Sequence, residues 1–156
     1  MTAPSDDVRH LRTWMAWPSG RAVWGPDLAG VQQDIALIAR TVARYEPVLM
    51  CAAAGAAATA RARCGSAVTV ISSVPVDDLW MRDTGPVFRR DDAGAVDPIG
   101  LGFNGWGRKQ THRKDAGVAG RVAAFPGRAV VQLDVDRLTG GSGGIHCSTM
   151  QQPAAG

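Results

Sequence analysis

The chain has 156 residues, enough for one ordinary domain with its own core. Hydrophobic residues make up 46% and charged residues 20%, which excludes an intrinsically disordered chain. The formal net charge is only +3 and the arginines are scattered, with no basic stripe and interleaved aromatics, so no nucleic-acid partner is expected.

In chain order, the opening MTAPSDDVRHLRTW carries acids where a signal peptide would be basic, and no apolar core follows. Arg12 to Trp17 (RTWMAW) predicts a short strand stopped by Pro18. From Pro26 to Glu46, Leu28, Val31, Ile35, Ile38, Val42 and Tyr45 recur at three-to-four spacing, which predicts an amphipathic helix with proline in its first turn. Pro47 ends it, and Val48-Leu-Met-Cys-Ala reads as a buried strand. Gly55 to Cys64 is alanine-rich and helical by composition, closed by Gly65. The apolar run from Val48 to Ala60 is short for a membrane span, so no membrane association is expected. Ala67 to Ile71 (AVTVI) is a strand by its β-branched content. Thr84–Arg90 and Val96–Phe103 then pair as a hairpin across the turn-rich DDAGA. A helix from about Lys114 to Ala124 and a strand from Ala129 to Val135 complete the pattern. Helix and strand alternate, so the fold class is α/β, and no low-complexity linker marks a second domain. Three cysteines are an odd number and too few for a disulfide-stapled secreted fold, so the expectation is a soluble, cytoplasmic protein.

Three stretches could carry chemistry. In VDDLWMRDTGPVF, Asp77, Asp78 and Asp83 set three carboxylates beside Trp80 and Arg82. A carboxylate takes a guanidinium through two parallel charge-assisted hydrogen bonds, and an indole face stacks on the same cation. The plainer alternative is a solvated loop in which Arg82 and Asp83 form a structural ion pair. In GLGFNGWG, glycines flank Phe103, Asn104 and Trp106, as at a pocket wall or at an ordinary strand end. In GGSGGIHCSTMQQP, Cys147 follows a glycine run whose N–H groups can stabilise a thiolate, while Ser148, Thr149, Gln151 and Gln152 offer polar groups. His146 turns away from the thiol if the segment is extended, and a structural cysteine is the alternative there.

TWMAWP (Thr13–Pro18), WMRDTGP with the later FNGWG, and GGIHC-x-T-x-QQP together resemble the agmatine deiminase family, guanidino-group hydrolases of the pentein superfamily related to peptidylarginine deiminases. The resemblance runs from about Leu11 to Pro153. It implies a partial pentein-type propeller of ββαβ repeats with the central repeats missing. Residues 1–156 then form a single incomplete domain, about 1–124 like the family's N-terminal part and about 126–156 like its C-terminal part. The resemblance makes Cys147 the nucleophile and Asp83 the guanidinium-binding carboxylate, with Trp80, Arg82, Asn104 and Trp106 near the substrate. It implies a small cationic guanidine substrate such as agmatine, hydrolysed to N-carbamoylputrescine and ammonia on the way to putrescine, with no cofactor and no metal. The family's Glu-Gly-Gly and His-x-Asp motifs belong to its central region and have no counterpart here; the only glutamate is Glu46. Three readings follow: a guanidine hydrolase, a guanidine-binding remnant without turnover, and a redox-reactive thiol protein. The family fixes the first as the label. For this chain by itself the expectation is no detectable agmatine hydrolysis, with unpaired strand edges favouring self-association into homo-oligomers. Cys147 is expected to alkylate faster than Cys51 or Cys64.

Overall fold

A computed structural model describes residues 4, 8–124, 131–132 and 150–154. Among these, β1 (His10–Ala16), β2 (Val48–Cys51), β3 (Val68–Ile71) and β7 (Met150–Pro153) form one sheet in the order β3-β2-β1-β7. A second sheet holds β4 (Val87–Arg90), β5 (Val96–Gly100) and β6 (Val131–Gln132) in the order β4-β5-β6. The helical elements are α1 (Arg21–Trp24), α2 (Leu28–Val42), α3 (Ala57–Cys64), α4 (Met81–Thr84), α5 (Gly105–Arg108) and α6 (Val118–Ala123). The β1–β2 and β2–β3 pairs are parallel, so α2 and α3 serve as their crossovers. β7 closes the other side of β1 antiparallel, with Thr13 opposite Gln151 and Trp14 opposite Met150. The architecture is α/β, as expected.

The period-two geometry of β1 divides the core. Met15 and Trp17 pack on one side with Ile35, Ala39, Met50 and Cys64, under α2 and α3. Trp14 and Ala16 pack on the other with Met81, Phe88, Val118 and Met150. A sheet buried on both faces explains why VLMC of β2 is apolar without alternation.

Several boundaries differ from the sequence expectation. The long helix is regular only over Leu28–Val42, and its buried face is Ile35, Ala36 and Ala39. Ile38 is 40% exposed and Tyr45 80% exposed, so the apolar stripe lies a step round the helix from where the large residues alone put it. Alanines make the close contact because α2 lies tight against α3 and the sheet. Thr84 does not begin a strand: Met81–Thr84 is a helical turn, and β4 starts at Val87 after Gly85-Pro86. β5 ends at Gly100, short of Phe103. The hairpin turn forms as expected, with Asp91 Oδ1 accepting from the N–H groups of Ala93 (2.9 Å) and Ala95 (2.8 Å). The Lys114–Ala124 helix is a 3-10 turn over Asp115–Gly117 followed by α6. Of the Ala129–Val135 strand, Val131–Gln132 is described, pairing parallel with β5. Among the described residues no helix is long and apolar enough to cross a membrane.

Candidate active site

The site grows out of α4. Met81 is fully buried and anchors the turn in the core. The Trp80 carbonyl accepts from the N–H groups of Asp83 (3.1 Å) and Thr84 (3.0 Å) and from the Thr84 hydroxyl (3.0 Å). That triple acceptance, together with the Pro86 stop, makes this segment a turn rather than a strand start. Neighbours in the turn diverge. Asp83, half-buried, lines a cavity of about 70 Å³ together with Thr84, Gly100, Phe103, Gly117 and Gly120. Arg82 is aimed elsewhere, and its Nη2 donates to Gln151 Oε1 of β7 at 2.9 Å.

The other two carboxylates of the acidic cluster are structural. Asp77 Oδ2 accepts from the N–H groups of Lys114 (2.6 Å) and Asp115 (3.3 Å), and Asp115 Oδ1 accepts from the Asp77 N–H at 2.6 Å. This reciprocal clasp ties the acidic loop to the start of α6, which supplies one wall of the cavity. Asp115 is 2% exposed, and burial pushes its carboxyl up to about 7, against the pull of the Asp77 N–H. Asp78, equally buried, accepts from Trp24 Nε1 (2.8 Å) and Trp80 Nε1 (3.1 Å). Burial raises its carboxyl above the ordinary range while the two indoles lower it. One carboxylate thus orients two tryptophans.

Those rings begin an aromatic wall. Trp24 stacks on Trp80 at 6.1 Å between centroids, Trp80 meets Trp106 edge-on at 5.6 Å, and Trp106 meets Phe103 edge-on at 4.9 Å. Phe103 in turn meets the His112 ring at 6.3 Å. His112 Nδ1 lies 2.8 Å from the Gln110 carbonyl, which can only accept, so the neutral ring carries its lone pair on Nε2. The wall requires an unusual backbone. Trp106 has φ 52° between Gly105 at 70° and Gly107 at 76°, and Arg108 follows at 65°, left-handed values that residues with side chains rarely adopt. Asn104 Oδ1 holds this turn by accepting from the Gly107 N–H at 2.9 Å.

A test of that turn follows. A Cβ at Gly105 meets His112 Nδ1 at 2.5 Å and the Gln110 carbonyl at 2.7 Å, whereas one at Gly107 meets nothing within 4 Å. Both substitutions suffer left-handed strain of about 1–2 kcal/mol. Gly105→Ala is therefore expected to lower the urea midpoint clearly more than Gly107→Ala. Equal losses would show that the neighbouring Gln110 backbone gives way freely.

The structure therefore brings Asp83, Trp80 and Trp106 around one region through Phe103, gives Asn104 the task of capping the Trp106 turn, and directs Arg82 to β7. Cys147 lies outside the described residues, as do His146 and the glycine run. Cys51 and Cys64 are fully buried, and burial pushes the Cys51 thiol up to about 12. Sequence reasoning missed Trp24 and Asp115: the first ends the one-turn helix α1, too short to leave a periodic signal, and the second falls in an expected helix. Among the described residues no group of three metal-ligating side chains occurs.

The sequence pattern that defines the Porphyromonas-type peptidyl-arginine deiminases matches residues 2–125 and 122–153. An agmatine deiminase of Pseudomonas aeruginosa (strain LESB58) is 36% identical over 148 residues, 92% of this chain and 40% of that protein. One of Stutzerimonas stutzeri (strain A1501) is 38% identical over 106 residues, 68% of this chain and 29% of that protein. Among solved structures, the agmatine deiminase of Enterococcus faecalis superposes with a TM-score of 0.76 at 22% identity, covering 85% of this chain and 37% of that one. That of C. jejuni superposes with a TM-score of 0.66 at 18% identity, covering 81% and 38%. The chain spans at most about two fifths of the length of these relatives.

Proposed function

This chain belongs to the Porphyromonas-type peptidyl-arginine deiminase family, and from that premise we propose that it is an agmatine deiminase-like hydrolase of guanidino groups, with Cys147 as nucleophile and Asp83 as the carboxylate for the substrate cation. In this reading residues about 1–124 correspond to the first part of such an enzyme and about 126–156 to its last part. The observation that carries it is the half-buried Asp83 carboxylate at a small cavity beside Phe103, with the Trp80–Trp106 pair next to it.

The chemistry balances without a redox step. The Cys147 thiolate attacks the guanidinium carbon and forms a C–S bond. The tetrahedral adduct expels one nitrogen, which leaves with a proton as ammonia. Water then adds to the thiouronium carbon, the C–S bond breaks, and a ureido product and the thiolate remain. From agmatine the products are N-carbamoylputrescine and ammonia. Asp83 contributes by opposing the cation's charge in a partly desolvated site, and the indoles add cation–π attraction.

A second reading, guanidine binding without turnover, is favoured by one observation. The chain's only glutamate, Glu46, is bonded to His10 at 2.8 Å and to Thr13, at the start of β1 rather than at the Asp83 cavity. Ammonia release from agmatine by the purified chain separates the two readings. Saturable agmatine binding without ammonia selects the second, and neither binding nor ammonia removes both.

Asp83→Asn is expected to weaken agmatine binding roughly 10- to 150-fold, the loss of about 1.5–3 kcal/mol for one charged hydrogen bond. Asp91→Asn should leave binding unchanged, because Asp91 caps the β4–β5 turn. Calorimetry showing the same loss for both variants would remove Asp83 from the site.

A further inference from the structure

The QQP motif that follows the cysteine is not used by the chemistry, yet both glutamines are engaged over long sequence distances. Gln152 is 7% exposed and its Oε1 accepts from Trp14 Nε1 at 3.2 Å. Gln151, its neighbour on the opposite face of β7, accepts from Arg82 Nη2 at 2.9 Å. Two residues on, Arg90 Nη2 donates to the Ala154 carbonyl at 2.7 Å. Because side chains alternate along a strand, slipping β7 by one residue would turn Gln152 towards Arg82 and strand Trp14 without its acceptor. The pair of glutamines is thus a register code. Arg82 adjoins Asp83 in the same helical turn, and Cys147 is four residues from Gln151, at most roughly 14 Å of extended chain.

We propose that Arg82 is a positioning residue: by clamping Gln151 it fixes the register of β7 against β1 and α4, and with it the guanidine affinity of a site that uses Asp83 beside Arg82 and Cys147 four residues before Gln151. Its role as a positioning group rests on the proposed function; its control of register does not.

The test uses the full chain with Arg82→Ala, Arg82→Lys, Gln151→Ala and the Arg82→Ala/Gln151→Ala double variant. Two quantities are read: hydrogen exchange of the β7 amides, and iodoacetamide alkylation of Cys147 with and without agmatine. The fully buried Cys51 and Cys64 report an intact core in every sample. Either alanine variant is expected to speed β7 exchange about tenfold and to raise the agmatine concentration that protects Cys147 by a similar factor. The double variant should be no worse than either single one, since both remove the same contact. Arg82→Lys, which still donates to a carbonyl, should recover most of the protection. Unchanged β7 exchange in Arg82→Ala would overturn the proposal, and so would labelling of Cys51 and Cys64 in step with the loss. A parent chain that agmatine does not protect, but whose β7 exchange responds as described, counts against the proposed function and supports the register clamp.

Discussion

Trp14→Ala is expected to remove most of the stability of the domain. Trp14 is 1% exposed, lies on the face of β1 that packs with Met81, Phe88 and Met150, and donates its indole N–H to Gln152. Truncating a buried tryptophan costs about 3–5 kcal/mol. A further 1–3 kcal/mol or so comes from the Gln152 amide left buried without its donor. Against a typical total of about 5–15 kcal/mol, the variant should be largely unfolded or should melt at much lower urea. Trp14→Phe keeps most of the ring volume and loses the hydrogen bond, so its penalty should be well under half as large. Circular dichroism in a urea series checks both. Equal midpoints for the two variants would show that the indole N–H, and not the packing, dominates.

The second large effect is a dependence on pH. The Asp115 carboxyl is held up at about 7 in the fold, chiefly by burial and further by the charges of Asp77 and Asp78, against an unfolded value near 3.8. The folded state therefore keeps this proton where the unfolded chain has released it. The stabilisation is complete below about pH 4 and is lost progressively as pH rises to about 7, above which the slope vanishes. Three pH units correspond to about 4 kcal/mol at most. Asp78, raised in the same direction, adds to the trend. Unfolding free energies at pH 5 and pH 8 should thus differ by a few kcal/mol in the parent. Asp115→Asn should flatten that difference while keeping an oxygen for the Asp77 N–H. A parent and variant with the same pH slope would show that Asp115 is ionised in the fold throughout.

Local signals made much of the framework legible. RTWMAW, VLMC and VTVI are apolar or β-branched enough to declare β1, β2 and β3, and Gly65 at φ 75° closes α3 where a glycine was expected. The strand expected over Thr84–Arg90 begins only at Val87, because Thr84 belongs to the Met81–Thr84 turn and Gly85-Pro86 follows it. What decides it is acceptance by the Trp80 carbonyl and burial of Met81, neither of which composition encodes. Asp83 stood out through its motif and does line a cavity, but its neighbours Asp77 and Asp78 look alike in sequence and are spent on backbone and indole partners. Those partners lie far away in the chain: Asp78 meets Trp24 across 54 residues, Asp77 meets Asp115 across 38, and Arg82 meets Gln151 across 69. Pairings of that range follow from topology and leave no local periodicity.

The place of β1 between two kinds of neighbour also sets an order of assembly. Its parallel partner β2 is reached through the nearby α1 and α2, whereas the Trp14–Gln152 contact with β7 spans 138 residues. Closing so long a loop costs roughly 4 kcal/mol of chain entropy plus a constant, and contacts of that range slow folding. The β1–β2–β3 layer with α2 and α3 can form first from nearby chain, and β7 joins a strand that already exists. Docking of β7 is then the late, entropically expensive step. A kinetic experiment would see the fluorescence of Trp14 change last, after most of the helical signal has been gained.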